Sequence, residues 1–263
     1  MSKHSSGFVK QEVKQGVLWL TLTRTDKKNA LTQTMYLELS KALQEADRDS
    51  SISAVILTGS GDSFTAGNDL HDFLSIEDLD DSAPPFEFLY TLSRLSVPLV
   101  AGVNGLSIGI GTTILLHCDL VYASATATFA LPFINLGLVP EAASSLLLPK
   151  LVGHLRASEL LLLGDSFDAN AALAYGLVNK VVAPEQLEAE LEQVAAALAS
   201  KPRAGLRAAK RLIKEQDEPV ADRIEREAHI FIKALSSETA RKAIAERLPV
   251  SYTHLTLPTK RIV

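Results

Sequence analysis

Hydrophobic and polar residues alternate in two short runs near the start of the chain, Val9–Val13 and Val17–Thr23, and the second, VLWLTLT, is rich in β-formers. A period of two places alternate side chains on one face, so both runs are predicted strands. The period then changes. Met35, Leu39, Leu43 and Ala46 recur at helical spacing, which predicts a helix over Thr32–Asp47 with Thr32 as its N-cap. Three wholly apolar short runs follow, Ala54–Thr58, Pro98–Val103 and Leu120–Ala123, as expected of strands covered on both faces. From Pro149 onward the pattern is mainly helical, over Arg156–Leu163, Ala169–Tyr175, Pro184–Ala199, Ala204–Lys214 and Val220–Ala234, with a strand at Leu177–Val182. Short buried strands alternating with helices predict an α/β fold whose functional loops lie at strand ends. The acidic, proline-bearing stretch Asp72–Glu87 fits a solvated surface loop or, alternatively, a mobile cover over a site.

Composition narrows the picture little. With 263 residues, 47% hydrophobic and 22% charged, the chain can bury a large core as one domain, or as one domain plus a small appendage. Cys118 is the only cysteine, which rules out an internal disulfide and a cysteine zinc cluster. Its place in the apolar run ILLHCDL suits a small packed side chain better than a nucleophile. The first residues, MSKHSSGFVKQEV, lack the apolar core of a signal peptide, and no apolar stretch is long enough to span a bilayer; the expectation is a cytoplasmic protein with no membrane partner. A balance of 26 basic against 31 acidic residues, net −5, argues against nucleic acid as a partner. It leaves room for a local basic pocket that binds a phosphorylated ligand.

The stretch VAGVNGLSIGIGTTILLHCDL, Val100–Leu120, admits three chemistries. A dinucleotide loop opening at Gly109-Ile-Gly111 needs a further glycine at position 114, which is Ile114, and no phosphate-binding Gly-Lys-Ser/Thr is present. A nucleophile elbow, Gly105-Leu-Ser107-Ile-Gly109, could be completed by Asp165 or Asp168 and His229. Against it stand the β-branched Ile108 beside the serine and the place of His229 inside a predicted helix. The third reading uses only backbone. Ser63–Leu70 (SFTAGNDL) also follows a buried strand and leads into a helix start, as the first loop does. Glycine-rich turns at helix N-termini expose N–H groups in a favourable dipole, and two of them converging on one oxygen make an oxyanion hole.

Three blocks, FTAGNDL at 64–70, VNGLSIGIG at 103–111 and LPFINLGLVPEAASS at 131–145, together resemble the enoyl-CoA hydratase/isomerase (crotonase) family, from about Val9 to Arg247. AGNDL with NLGLVPE is most similar to the branch that converts 3-enoyl-CoA to 2-enoyl-CoA. The resemblance implies a crotonase-like spiral of strand–strand–helix turns over residues 1–200, followed by a helical oligomerisation segment over 201–250. It also implies a homotrimer or dimer of trimers and acyl-CoA thioester substrates. Coenzyme A would be part of the substrate, with no separate cofactor and no metal. Residues 251–263, SYTHLTLPTKRIV, match no element of the family and are expected to be an extension with few core contacts.

Carried onto this sequence, the oxyanion donors are the backbone N–H groups of Asn68 and Ile110. Ile110 stands where the family usually has glycine, but the contribution is main-chain. Ala66 would lie beside the adenine, and Arg24, Lys27 and Lys28 are candidates for the CoA phosphates; each could equally belong to a plain solvated turn. Family hydratases add water with two glutamates, whose positions here are Thr113 and Phe133. Neither can transfer a proton at neutral pH. Glu141 stands where family isomerases carry their base. Its apolar neighbours Leu136, Leu138, Val139 and Ala142 are expected to raise its pKa, although by itself it also reads as an exposed glutamate opening the next helix. The expected activity is isomerisation in fatty-acid oxidation. Enoyl-CoA hydration and non-catalytic acyl-CoA binding are the alternatives, with a Ser107 hydrolase the least favoured.

Overall fold

The computed structural model describes residues 7–75, 80–214 and 218–245. By its contacts the chain divides after Arg207 into two units. The first contains two sheets. A larger, six-stranded sheet has the order β1 (Val9–Lys14), β2 (Val17–Leu22), β3 (Ala54–Gly59), β5 (Leu99–Val103), β7 (Leu120–Ser124), β10 (Lys180–Val182). β1 and β2 form an antiparallel hairpin, and the strands from β2 to β10 run parallel. A smaller, four-stranded sheet has the order β4 (Ser63–Thr65), β6 (Leu106–Ile108), β8 (Thr128–Ala130), β9 (Phe167–Asp168), with β4, β6 and β8 parallel and β9 antiparallel at the edge.

The chain passes back and forth between these sheets. β3, β5 and β7 lie in the larger one, and each is followed at once by its partner in the smaller one, β4, β6 and β8. Helical segments complete the turns: α2 (Leu70–Leu74) and α3 (Pro84–Arg94) after β4, then α4 (Ile110–Thr113) and a 3-10 turn, Ile114–His117, after β6. This is the strand–strand–helix spiral expected from the sequence blocks.

Alternation within the large sheet divides its two faces. Leu18, Leu20, Leu22, Val55, Leu57, Leu99 and Ala101 join the main core, together with Met35, Leu39, Leu43 and Ala46 of α1 (Gln33–Arg48). Val17, Ala54, Ile56 and Val100 point to the other face, where Leu187, Leu191 and Ala195 of α8 (Leu187–Ala199) cover them. Coverage on both faces is the reason the central strands read as unbroken apolar runs. Thr32 caps α1 as expected, its hydroxyl accepting from Met35 N at 3.3 Å.

Several elements differ from the sequence expectation. Asp72–Glu87 is not a single loop, since α2 takes its first residues and α3 its last. α3 starts with Pro84-Pro85, and proline is tolerated in a first helical turn because that N–H has no partner there anyway. A helix α5 (Ser144–Val152), not expected, precedes α6 (His154–Leu163), while α6 and α7 (Ala169–Ala174) match the helices expected over Arg156–Leu163 and Ala169–Tyr175. The strand expected over Leu177–Val182 pairs only over β10, and Cys118 is half-buried at the core margin. The division between the units falls within α9 (Arg203–Lys214). The described part of the second unit holds the end of α9, α10 (Val220–Leu235) and α11 (Glu238–Ala245). The tail expected over 251–263 lies outside the described residues. No helix among the described residues is long and apolar enough to cross a membrane.

Candidate active site

Three loops leave the carboxyl ends of the parallel strands of the small sheet, where α/β folds place their ligand crevices. Ala66–Asn68 follows β4, Gly109 follows β6, and Leu131–Phe133 follows β8. Two glycines allow the first two loops to meet. Gly67 has φ +93, and a Cβ there would come within 2.8 Å of Ile108 O. Gly109, at φ 56 and ψ −118, turns the chain sharply into α4.

Asn68 and Ile110 lie at these turns. Leu31 N bonds Gly67 O and Asp69 N bonds Leu31 O, each at 2.8 Å, so Leu31 and Asn68 form an isolated parallel bridge. In extended backbone successive N–H groups point to opposite sides. The Asn68 N–H therefore faces away from Leu31. Ile110 opens α4, and the first amides of a helix have no acceptor within it. Both residues line a cavity of about 630 Å³, whose walls also include Phe86 and Leu89 of α3, Pro132, Phe133 and Glu141.

Among the described residues, Glu141 is the one carboxyl on that wall. It is half-buried just before α5, not an exposed helix-opening glutamate. The Thr113 hydroxyl donates to its Oε1. Burial pushes its pKa up to about 7 from 4.5, and the Thr113 hydrogen bond opposes only part of that rise. The neighbours expected to bury it act unequally: Ala142 is buried, whereas Val139 is 75% exposed. The turn holding Glu141 is strained, because Ala142 and Ala143 have φ of 53 and 54, at a cost of about 1–2 kcal/mol each for side-chain-bearing residues. Ser144 N and Oγ both donate to Glu141 O, at 2.9 and 2.6 Å.

A carboxyl whose folded pKa exceeds its unfolded value favours the folded state below the unfolded pKa. That contribution is lost as pH rises through the folded value. From the rise of 4.5 to about 7, ionised Glu141 costs up to about 3 kcal/mol. Glu141→Gln should therefore melt progressively higher than the parent as pH goes from 6 to 8.5. Melting curves at several pH values check this, and a difference that shrinks with rising pH contradicts it.

Ser107 is fully buried in β6 and absent from the cavity wall, and its hydroxyl has no hydrogen-bond partner. A nucleophilic serine needs a base within hydrogen-bond reach, and among the described residues the Ser107 hydroxyl has none. Ser107→Ala should change turnover less than about threefold and leave stability equal or slightly higher, since an unbonded buried hydroxyl contributes nothing. Loss of a true nucleophile costs about 10³ or more, so kcat measurement separates the two readings.

Of the residues suggested for CoA, Ala66 lines the cavity and its N–H bonds Lys28 O at 2.9 Å. Arg24 donates to Asp69 at 2.7 Å and to Ala30 O at 3.0 Å, tying the turn before α1 to the Asn68 loop. Lys28 pairs with Asp62, and Lys27 is exposed in the same turn. Thr113 and Phe133 are buried; Phe133 presents an apolar wall, and Thr113 bonds the carboxyl.

Sequence patterning missed Tyr36. It lies on the buried side of α1 but also lines the cavity, where its hydroxyl donates to Asn68 Oδ1. Burial, and to a lesser degree the charge of Glu141, raises its pKa well above 10.0, so the phenol keeps its proton. Helical spacing marks such a residue as core and carries no sign of the cavity. Among the described residues, no group of three or more His, Cys, Asp or Glu is arranged to hold a metal ion.

Comparison with known proteins follows from this geometry. A model of the enoyl-CoA hydratase/isomerase family matches residues 12–254. Enoyl-CoA delta isomerase 2 of Rattus norvegicus is 38% identical over 208 residues, covering 77% of this chain and 53% of the relative, so the chain spans about half that protein's length. 2,3-Dehydroadipyl-CoA hydratase of Escherichia coli K12 is 36% identical over 208 residues, 78% of this chain and 80% of the relative. The crystal structure of an enoyl-CoA hydratase/isomerase from Pseudoalteromonas atlantica T6c is 41% identical with a TM-score of 0.77, covering 92% of this chain and 97% of that one. Sequence blocks, spiral fold and family match agree: the chain belongs to the enoyl-CoA hydratase/isomerase (crotonase) family.

Proposed function

We propose that this acyl-CoA-processing enzyme moves the double bond of a 3-enoyl-CoA to position 2. The observation that carries the reading is Glu141, the single carboxyl among the described residues of an otherwise largely apolar cavity wall that also holds Asn68 and Ile110. The thioester carbonyl oxygen sits between the N–H groups of Asn68 and Ile110, which stabilise negative charge on it. The Glu141 carboxylate removes a proton from C2. The electron pair of that C–H bond becomes the dienolate, with charge on the carbonyl oxygen. The same carboxyl then gives the proton to C4, the enolate collapses, and the double bond lies between C2 and C3. No net oxidation occurs, and no water is consumed. One base is sufficient because C2 and C4 flank the same allylic system. A group titrating near neutrality can both take and return the proton.

The Ala66, Lys27 and Lys28 segment would hold the CoA end. Arg24 acts there through Asp69, keeping the Asn68 loop in place. Hydration of 2-enoyl-CoA is a second reading, favoured by the comparable similarity to a hydratase. It requires a water activated on one face and a proton delivered to C2. Thr113 and Phe133, at the positions of the hydratase acids, supply neither.

Label transfer tests the single-base shuttle. With 3-hexenoyl-CoA carrying deuterium at both C2 positions, turnover in ordinary water should leave part of the label at C4 of the product. A product with no label at C4, even in single-turnover experiments, contradicts a one-carboxyl route.

A further inference from the structure

His117 takes no part in the chemistry above, yet it is buried beside it. It closes the 3-10 turn Ile114–His117 that continues α4, four residues beyond Thr113. Its Nε2 lies 2.8 Å from Ala142 O. A carbonyl oxygen only accepts, so Nε2 carries the hydrogen.

The acceptor belongs to the turn that holds Glu141. Ala142 and Ala143, at φ 53 and 54, occupy a region that residues with a Cβ rarely adopt. Such backbone persists only where its surroundings over-determine it. Ser144 holds the peptide oxygen of Glu141, and His117 holds the next one, that of Ala142. One short helical run thus carries three functions in order. Its first residue, Ile110, lines the cavity; Thr113 bonds the Glu141 carboxyl; His117 bonds the backbone immediately after Glu141.

We propose that His117 is a positioning residue that fixes the Glu141 turn to the helical run carrying the Ile110 donor, and so sets the placement of the base relative to the oxyanion. The inference rests on Glu141 being the base. Base and oxyanion donor then move as one body, and a slack turn costs proton transfer without costing CoA binding.

The test compares His117→Met, which keeps apolar bulk without a donor, with His117→Gln, whose amide N–H reaches about as far as Nε2. The expected result for His117→Met is a fall in kcat of roughly 10- to 100-fold, the scale of a small misplacement of a reacting group. KM and the Kd for hexanoyl-CoA should stay at parent values, and His117→Gln should recover most of kcat. Parent-level kcat in folded His117→Met overturns the inference, as do equal losses in Met and Gln or a loss confined to KM and Kd. Should His117→Met fail to fold, His117→Asn replaces it, its amide being too short to reach Ala142 O. Asn must then show the lower kcat, and equal kcat in Asn and Gln overturns the inference. Glu141→Gln run alongside separates the two claims. If it is inactive while His117→Met is fully active, only the positioning role fails; if it is fully active, the base assignment fails and the positioning role with it.

Discussion

Glu141→Gln should lower the rate of 3-enoyl-CoA isomerisation by roughly 10² to 10⁴, the range for loss of a general base, while acyl-CoA still binds. Gln preserves size and can still accept the Thr113 hydrogen bond, so the cavity keeps its shape. It cannot take a proton from C2. The Asn68 and Ile110 amides are untouched, so the Kd for a saturated acyl-CoA should stay within a few-fold of the parent. The pH profile of the parent carries the same signature. Activity depends on the ionised carboxyl, so it should rise as pH increases through about 7 and be lost below it. An ordinary, solvated glutamate would place that limb near 4.3. Stopped assays across pH 5.5–8.5 distinguish the two.

Ile110→Pro is expected to produce the second large effect, on the order of 10² to 10³ in kcat, as for removal of one oxyanion donor. Proline deletes the N–H and nothing else that the proposed chemistry needs. The site is unusually tolerant of it, because Ile110 is the first residue of α4 and proline suits that position. The buried Ile110 side chain is lost as well, so Ile110→Ala is the control. Alanine also removes the packing, at about 2–5 kcal/mol of stability, but it retains the amide. The account requires Ile110→Ala to stay active when folded and Ile110→Pro to be slow. Equal activity of the two variants would remove Ile110 from the oxyanion hole.

Much of this architecture is visible in residue patterns, and the gaps have physical causes. β2 and α1 announce themselves through buried residues at a regular period, and β3, β5 and β7 through unbroken apolar runs. β4, β6 and β8 are three residues long, too short to show a period; glycine-bearing turns mark the ends of β4 and β6, whereas β8 runs into Leu131-Pro132-Phe133. α3 is hidden by Ala83-Pro84-Pro85, which reads as a break although proline is at home in a first turn. The loops holding Asn68 and Ile110 are legible as turns after apolar strands, and the role proposed for them requires no side chain.

Glu141 shows the limit most clearly. The residues adjoining it in sequence leave its environment undecided, and several of them are largely exposed. Burial raises its pKa, and the cavity wall it shares is built largely from the loops after β4 and β6 and from α3, segments far away in sequence. Tyr36 and His117 likewise look like core residues of helical segments, and only the folded chain shows the polar atoms they reach.

The most direct measurement follows 3-hexenoyl-CoA and 2-hexenoyl-CoA, in separate reactions, with the unmodified protein, monitoring double-bond migration and water addition in parallel. The account predicts rapid conversion of the 3-enoyl thioester to the conjugated 2-enoyl product and little hydration of either. Efficient hydration of 2-hexenoyl-CoA without migration from 3-hexenoyl-CoA would contradict it.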